Sequence, residues 1–316
     1  MSPAEPLSQK DVQAIDAAKF YYEGGLSQVE VSEKMGFSRP TISKLLQHAN
    51  QRGFVKISVV DPRLKDNSVA QALQEKFGLA AVRVVYPASG GEAELRTALG
   101  QAGAQLLQET VRDGDVVGVA WSRTVCALTT ALEQTPRRNV KVVQLRGTVG
   151  DYATGFTEVQ TIGGIARAFG AEPFLLGVPG IFHSLEAKTA VEHEKQVQEV
   201  LRLGCSARVA VFSVGGAAQS SYLMSAPALS KRERDHLQAC AVGDICSRFV
   251  DANGRICLPD LNNRTVGLSL PQLRRISQKI LVAGGSDKAG IIRAALEHNY
   301  VSQLVIDAQT ARKILQ

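Results

Sequence analysis

The chain has 316 residues, 45% hydrophobic and 21% charged, with a formal net charge of +6. This composition excludes a disordered chain, and the length suffices for one small and one large domain, each with its own core. No stretch approaches the ~20 uninterrupted apolar residues of a membrane helix, and MSPAEPLSQK has no basic and apolar leader, so neither a span nor a signal peptide is expected.

The expected location is therefore cytoplasmic. The five cysteines (Cys126, Cys205, Cys240, Cys246 and Cys257) are odd in number and lack C-x-x-C spacing, which reads as reduced thiols. Cys246 and Cys257 flank a polar turn and could meet across a hairpin, although a small buried hydrophobe is the simpler role for each. The five histidines show no zinc-ligand spacing, and no cofactor is expected.

In chain order, residues 1–9 read as a disordered tail and residues 10–60 as a helical domain. Its first helix, Asp11–Tyr22, is expected to pack through Ile15, Ala18 and Phe20. Ser27 with Glu30 three residues on forms a capping box that opens a helix over Gln28–Met35, with Val29 and Val31 turned inward or sideways. Gly36 then supplies the left-handed conformation of a tight turn, and Phe37 anchors that turn in the core. Ser38 caps a second helix with Pro40 in its first turn. Ile42, Leu45 and Leu46 make its buried stripe. Ser38, Arg39, Thr41, Ser43 and Lys44 then mark the N-terminal half that a helix-turn-helix inserts into the major groove. Arg39 is suited to pair with guanine, Thr41 and Ser43 with bases or phosphates, and Lys44 with the backbone. From Lys34 to Val60 there are five cations (Lys34, Arg39, Lys44, Arg52, Lys56) and no Asp or Glu, a local excess that phosphate neutralisation requires. An ordinary αα-hairpin shares the helix–glycine–helix pattern. The cap, the apolar turn residue and the acid-free basic helix together favour operator DNA as partner.

Asp61-Pro62 punctuates the domain end, and residues 61–66 read as a linker. Residues 67–316 form the second domain, which begins with a helix ending at Phe77 before Gly78. Strands are expected at Val82–Tyr86, Val116–Ala120, Val140–Leu145, Pro173–Gly177, Arg208–Val214, Ile280–Ala283 and Leu304–Asp307. Helices fall between them at Glu92–Arg112, Thr124–Leu132, Thr157–Phe169 and Leu185–Leu203. Alternation of apolar strands with helices predicts an α/β fold: a Rossmann-like, doubly wound parallel sheet covered on both faces. The turn Asp251–Gly254, between Arg248–Val250 and Arg255–Leu258, reads as an inserted β-hairpin.

The segment LSQVEVSEKMGFSRPTISKLLQHANQRGFVKISVVDP resembles the helix-turn-helix of the SorC family of sugar-responsive transcriptional regulators. The later segments GDVVGVAWSRTV, VKVVQLRG, AVGDICSRFVDANGRIC, NNRTVGLSL and ILVAGGSDKAGIIRAAL are similar to the effector domain of that family. The similarity is greatest to its DeoR-type, deoxyribonucleoside-responsive branch, and it runs from about Lys10 to Leu315. The resemblance implies a homotetrameric repressor. Its effector domain is built like a phosphosugar isomerase without the enzyme activity, and a phosphorylated sugar such as deoxyribose 5-phosphate alters operator binding.

Read on their own chemistry, two strand–glycine–helix turns suit a phosphate. Ser122, Arg123 and Thr124 open a helix after a strand, offering hydroxyls, charge and free amides; simple capping by Ser122 is the plainer reading. Gly284 and Gly285 let backbone approach a ligand, and Lys288 reaches in as a point charge, where the resemblance also implies sugar-phosphate contacts. Arg146 and Gly147, and Gly215 and Gly216, end two further strands. Asp244 and Arg264 are suited to sugar hydroxyls or, equally, to buried structural pairing. The resemblance implies a Schiff-base lysine where Arg146 stands. A guanidinium stays protonated and cannot form that bond, so Arg146 suits a phosphate or carboxylate clamp instead.

The alternative is a sugar-phosphate isomerase with an accessory DNA-binding domain, for which Asp151, Glu158 and Asp244 are the candidate bases. A third reading is a DNA-binding protein whose second domain only oligomerises. The intact glycine turns with Ser122, Thr124 and Lys288 argue against it.

Overall fold

The computed structural model describes residues 7–55, 67–87, 91–149, 152–218 and 221–316, without the side chains of 152–156. The 61–66 linker, most of the 1–9 tail, Lys56 to Val60 and Asp151 lie outside the described residues. The chain divides into two compact units, Met1–Pro62 and Arg63–Gln316.

The first unit has three α-helices: α1 (Gln9–Ala18), α2 (Gln28–Met35) and α3 (Arg39–Gln51). The expected helix to Tyr22 is α-helical only to Ala18 and continues as one wider π turn over Lys19–Glu23. Of its expected packing residues, Ala18 is buried and Phe20 packs against the core, while Ile15 is not part of it. Asp11, Ala14, Ala17 and Ala18 are buried, whereas Ile15 is half-buried. These small side chains let α1 lie close on α3, and Asp11 enters the stripe because it finds partners there. The core closes with Val31, Ile42, Leu45, Leu46 and Ala49, all buried, while Val29 is exposed.

The second unit runs α4 (Ser68–Phe77), β1 (Ala81–Val85), α5 (Glu92–Thr110), β2 (Val116–Val119), α6 (Arg123–Leu128), β3 (Lys141–Gln144), α7 (Tyr152–Phe169) and β4 (Glu172–Phe174). It continues with α8 (Leu185–Glu192), α9 (Lys195–Cys205), β5 (Val209–Phe212), β6 (Val214–Gly216), α10 (Lys231–Cys240), β7 (Gly243–Ile245) and β8 (Arg248–Val250). It ends with α11 (Pro259–Asn263), α12 (Leu270–Arg275), β9 (Gln278–Val282), α13 (Ala289–Glu297), β10 (Gln303–Asp307) and α14 (Ala308–Leu315).

Seven strands form one sheet in the order β1-β10-β9-β5-β2-β3-β4, every neighbouring pair parallel. Strand alternation splits the core into two layers. Val209 and Val211 of β5, with Ile280 and Val282 of β9, face one layer, which α5, α6 and α7 cover. Ala210, Phe212 and Leu281 face the other, which α4, α9, α12, α13 and α14 cover. Helices on both faces explain why the strands read as continuous apolar runs. From β2 the chain builds outward to β4, then returns to place β5 on the other side of β2. The topological switch point therefore lies between β2 and β5, where an open α/β sheet leaves a crevice beyond its strand ends.

Three expectations change in detail. The run Arg208–Val214 divides, because Val214 leaves the sheet and pairs with Ile245 in a separate antiparallel sheet β6-β7-β8. The hairpin at Asp251–Gly254 does turn back, but only through the bridge Val250↔Ile256, and the strand partner of β8 is β7. The helix Leu185–Leu203 breaks at His193-Glu194 into α8 and α9.

Candidate functional site

In the first unit, Ser27 and Glu30 make the reciprocal cap (Ser27 N donates to Glu30 Oε2 at 2.7 Å), and Gly36 adopts φ 70° between α2 and α3. Left-handed backbone there would strain any side-chain-bearing residue. Ser38 caps α3, and its hydroxyl lies 2.8 Å from that of Thr41. The two hydroxyls are thus engaged with each other, and Thr41 is half-buried. Arg39, Ser43 and Lys44 stand exposed on the same half of α3, whose first turn holds no acid. Arg52, one of the five cations, pairs within the unit: its Nε lies 3.3 Å from Asp11 Oδ1. That carboxylate also bonds His48 Nε2 at 2.8 Å and ties α1 to the far end of α3. The Ser8 hydroxyl, then His48, hold the Asp11 carboxyl well below the usual carboxylate range.

In the second unit, a cleft of about 730 Å³ opens beyond the carboxyl ends of the strands, around the switch point. Of the ten effector residues read from sequence, eight line it: Ser122, Arg123, Thr124, Arg146, Gly215, Gly216, Asp244 and Lys288. The other two do not. Gly147 sits where a Cβ would come within 2.5 Å of the Pro179 carbonyl, so its role is close backbone packing. Arg264 turns its guanidinium to the carbonyls of Phe182 and Ala228 and pairs with Glu233. It is a buried tie between the Phe182 and Ala228 segments and α10.

The glycine turns also work differently from expectation. α6 is only six residues long, and Ser122 Oγ already accepts from Val125 N at 3.0 Å. The Gly285 amide donates to Asp307 Oδ2 (2.9 Å) and Thr310 Oγ1 (3.0 Å). The Val125 and Gly285 amides thus serve the fold, and the cleft presents side chains: Arg123 at the rim, the Thr124 side chain, and half-buried Lys288.

Arg146 forms the cleft floor and is almost wholly buried. Its guanidinium donates to the carbonyls of Trp121 (2.8 Å) and Gly147 (3.1 Å) and lies 3.0 Å from Glu158 Oε1. Glu158 also accepts from Gln144 Nε2 at 3.3 Å, and Gln144 Oε1 accepts from Leu176 N. Burial raises the Glu158 pKa, with Arg146 opposing. Glu158 does not line the cleft. A carboxylate in this position cannot act as the isomerase base.

Asp244 is half-buried at the wall, where burial raises its pKa against the attraction of Arg146 and Lys288. Its Oδ2 accepts from Ser247 N at 3.0 Å. A Cβ on Gly215 would come within 2.2 Å of Asp244 Oδ1, so glycine there makes room for the carboxylate. Sequence reading missed the neighbouring turn: Cys246 and Ser247 join β7 to β8 with φ 50° and 67°. Both positive values match a two-residue type I′ hairpin, usually Asn-Gly. Non-glycine residues held there beside a cleft are the sort of strain that accompanies binding sites.

Sequence reading also missed Trp121 and Ser221. Both line the cleft, and the Trp121 indole N–H and Ser221 Oγ are buried with no hydrogen-bond partner among the described residues. Each such group costs about 1–3 kcal/mol. The WSRT quartet pointed to Ser122 through Thr124 by polarity, and the aromatic before them was given no role. Among the described residues there is no metal-binding cluster, and no helix is long and apolar enough to cross a membrane.

Residues 61–316 match the family model Sugar-bind, a sugar-binding domain. The chain is 36% identical to the deoxyribonucleoside regulator of Bacillus subtilis (strain 168), over 97% of this chain and 98% of that protein. It is 28% identical to the sorbitol operon regulator of Klebsiella pneumoniae, over 96% and 97% of the two chains. The crystal structure of that full-length regulator, SorC, matches with a TM-score of 0.76 at 26% identity, covering 98% of this chain and 100% of that one.

Proposed function

The chain belongs to the SorC family of sugar-binding transcriptional regulators, and from that premise we propose that it is a cytoplasmic repressor whose hold on operator DNA is set by a phosphorylated sugar in the cleft. A member of this regulator family is not an enzyme, and the removal of Glu158 from the cleft agrees with that. The observation that carries the proposal is the convergence of Arg123, Thr124, Arg146 and Lys288 on one cleft at the topological switch point. Hydroxyl and cationic donors from separate strand ends suit a phosphate, while Asp244 offers an acceptor for sugar hydroxyls.

The B. subtilis relative is named for deoxyribonucleosides, which makes deoxyribose 5-phosphate the first effector to test. Arg146 has no amine to attack an aldehyde, so a sugar held there forms no Schiff base at that position. In the first unit, Arg39 and Ser43 contact base edges and Lys44 the phosphate backbone, with Ser38 and Thr41 shaping the helix start. A homotetramer would pair these helices on half-sites at a spacing set by its symmetry.

The direct test is fluorescence anisotropy of DNA from upstream of the protein's own operon, with and without deoxyribose 5-phosphate. Release of DNA by the sugar supports the full proposal. DNA binding that ignores this sugar keeps the regulator and moves the effector to another phosphorylated sugar. In Lys288→Ala, DNA binding should persist while the response is lost. A normal response in that variant places the phosphate elsewhere.

A further inference from the structure

Several polar groups of the cleft have protein partners: Ser122 Oγ binds Val125 N, Asp244 binds Ser247 N, and the Gly285 amide binds Asp307 and Thr310. One corner differs. There the Trp121 and Tyr222 rings meet edge to face with centroids 5.4 Å apart, and the Arg146 guanidinium lies 5.9 Å from the Trp121 ring. Trp121 is only 7% exposed, yet its indole N–H finds no acceptor, and the Ser221 hydroxyl beside Tyr222 is equally without a partner among the described residues. Two orphaned polar atoms on residues that line one cleft, joined through Tyr222, call for an outside partner. An indole N–H only donates and a hydroxyl does both, so that partner carries oxygen acceptors. An aromatic wall beside them also packs the C–H face of a sugar.

We infer that Trp121 and Ser221 form a second effector subsite, which reads the hydroxyl or carbonyl end of the sugar remote from its phosphate. This rests on the sugar-phosphate reading above. Arg123, Thr124 and Lys288 hold the phosphate, and the corner then selects for carbon-chain length: a five- or six-carbon sugar phosphate engages both subsites, and a three-carbon one engages the phosphate subsite alone.

Trp121 is the single tryptophan of the chain, so its emission reports on this corner directly. The full-length protein is titrated with deoxyribose 5-phosphate, ribose 5-phosphate, glucose 6-phosphate, glycerol 3-phosphate and inorganic phosphate, by fluorescence and by calorimetry. At least one five- or six-carbon compound should shift the Trp121 emission and bind at least tenfold tighter than glycerol 3-phosphate. Trp121→Phe keeps an aromatic ring but loses the N–H. By calorimetry it should lose most of that tenfold advantage while inorganic phosphate binds as before. Ser221→Ala keeps the fluorophore and provides a second, milder variant, expected to lose several-fold for the same compounds. Equal affinity for long and short phosphates, with unchanged emission, overturns the subsite and leaves the phosphate reading standing. Failure of every phosphate compound to bind overturns both.

Discussion

Replacing Glu158 with Met should destabilise the second unit strongly, and replacing Arg146 as well should cost less than the two single replacements added together. The two side chains are 1% and 6% exposed and lie 3.0 Å apart, so solvent screening is slight. Removing one partner of a buried pair typically costs about 3–5 kcal/mol, because the other charge is stranded. Arg146 would keep the Trp121 and Gly147 carbonyls, which places Glu158→Met near about 3 kcal/mol. For a unit of this size that is a fall of about 6–12 °C in Tm. The double variant Arg146→Met/Glu158→Met strands no charge but leaves those two carbonyls and the Gln144 amide short of a partner, so its loss should fall short of the two single losses added together. Urea unfolding followed by far-UV circular dichroism gives the three free energies. If the double variant loses as much as the two single variants added together, Arg146 and Glu158 are not coupled and the account of the cleft floor is wrong.

The same carboxylate carries a pH dependence. Burial raises the folded pKa of Glu158, so the stability tied to its protonated form is complete below the unfolded value of about 4.3 and is lost as pH rises through the raised value. The stability of wild type minus that of Glu158→Gln should therefore decline over that window and then level off; a difference that grows with pH contradicts the burial argument. In the DNA-binding unit, Arg39→Ala should weaken operator binding by about 1–3 kcal/mol and relax sequence preference, whereas Lys44→Ala should weaken all sequences alike and lower the salt slope by about 1; competition binding at several salt concentrations separates the two. The Cys246 thiol is pushed up to about 12 by burial, leaving a thiolate fraction of about one in ten thousand at pH 8. Thiol labelling of the native protein, mapped by mass spectrometry, should find exposed Cys205 well before Cys246, and the reverse order would show that the β7–β8 turn opens.

The parallel sheet was legible because its strands are buried on both faces and therefore read as unbroken apolar runs. β5, with Val209, Val211, Ala210 and Phe212 divided between two core layers, is the plainest case. What misled was continuity. Val214 is as apolar as Phe212, and nothing in a one-dimensional pattern shows the chain leaving one sheet for another between them. The β7–β8 hairpin escaped notice for a related reason: its turn is Cys246-Ser247, residues that rarely take positive φ. The conformation is over-determined instead by the Asp244 bond to Ser247 N and by the packing of Cys246. In the helix-turn-helix, by contrast, cap, glycine and apolar anchor are all local features, and Ser27, Gly36 and Ser38 stand where local rules put them.

The cleft shows where such reading reaches its limit. Residue type identified groups able to meet a phosphate, and strand-end position placed eight of ten on one surface. It could not tell a donor facing ligand from one already committed to the fold. Arg264 and Arg146 are equally polar in sequence. The first is consumed by Glu233 and two carbonyls away from the cleft, and the second is braced by Glu158 while still lining it. The converse error was to pass over Trp121, whose N–H lacks a partner although its ring is buried. A polar atom is informative about ligand only after its protein partners have been counted. On that count, the buried side-chain atoms lining this cleft that the fold leaves without a partner include the Trp121 N–H and the Ser221 hydroxyl.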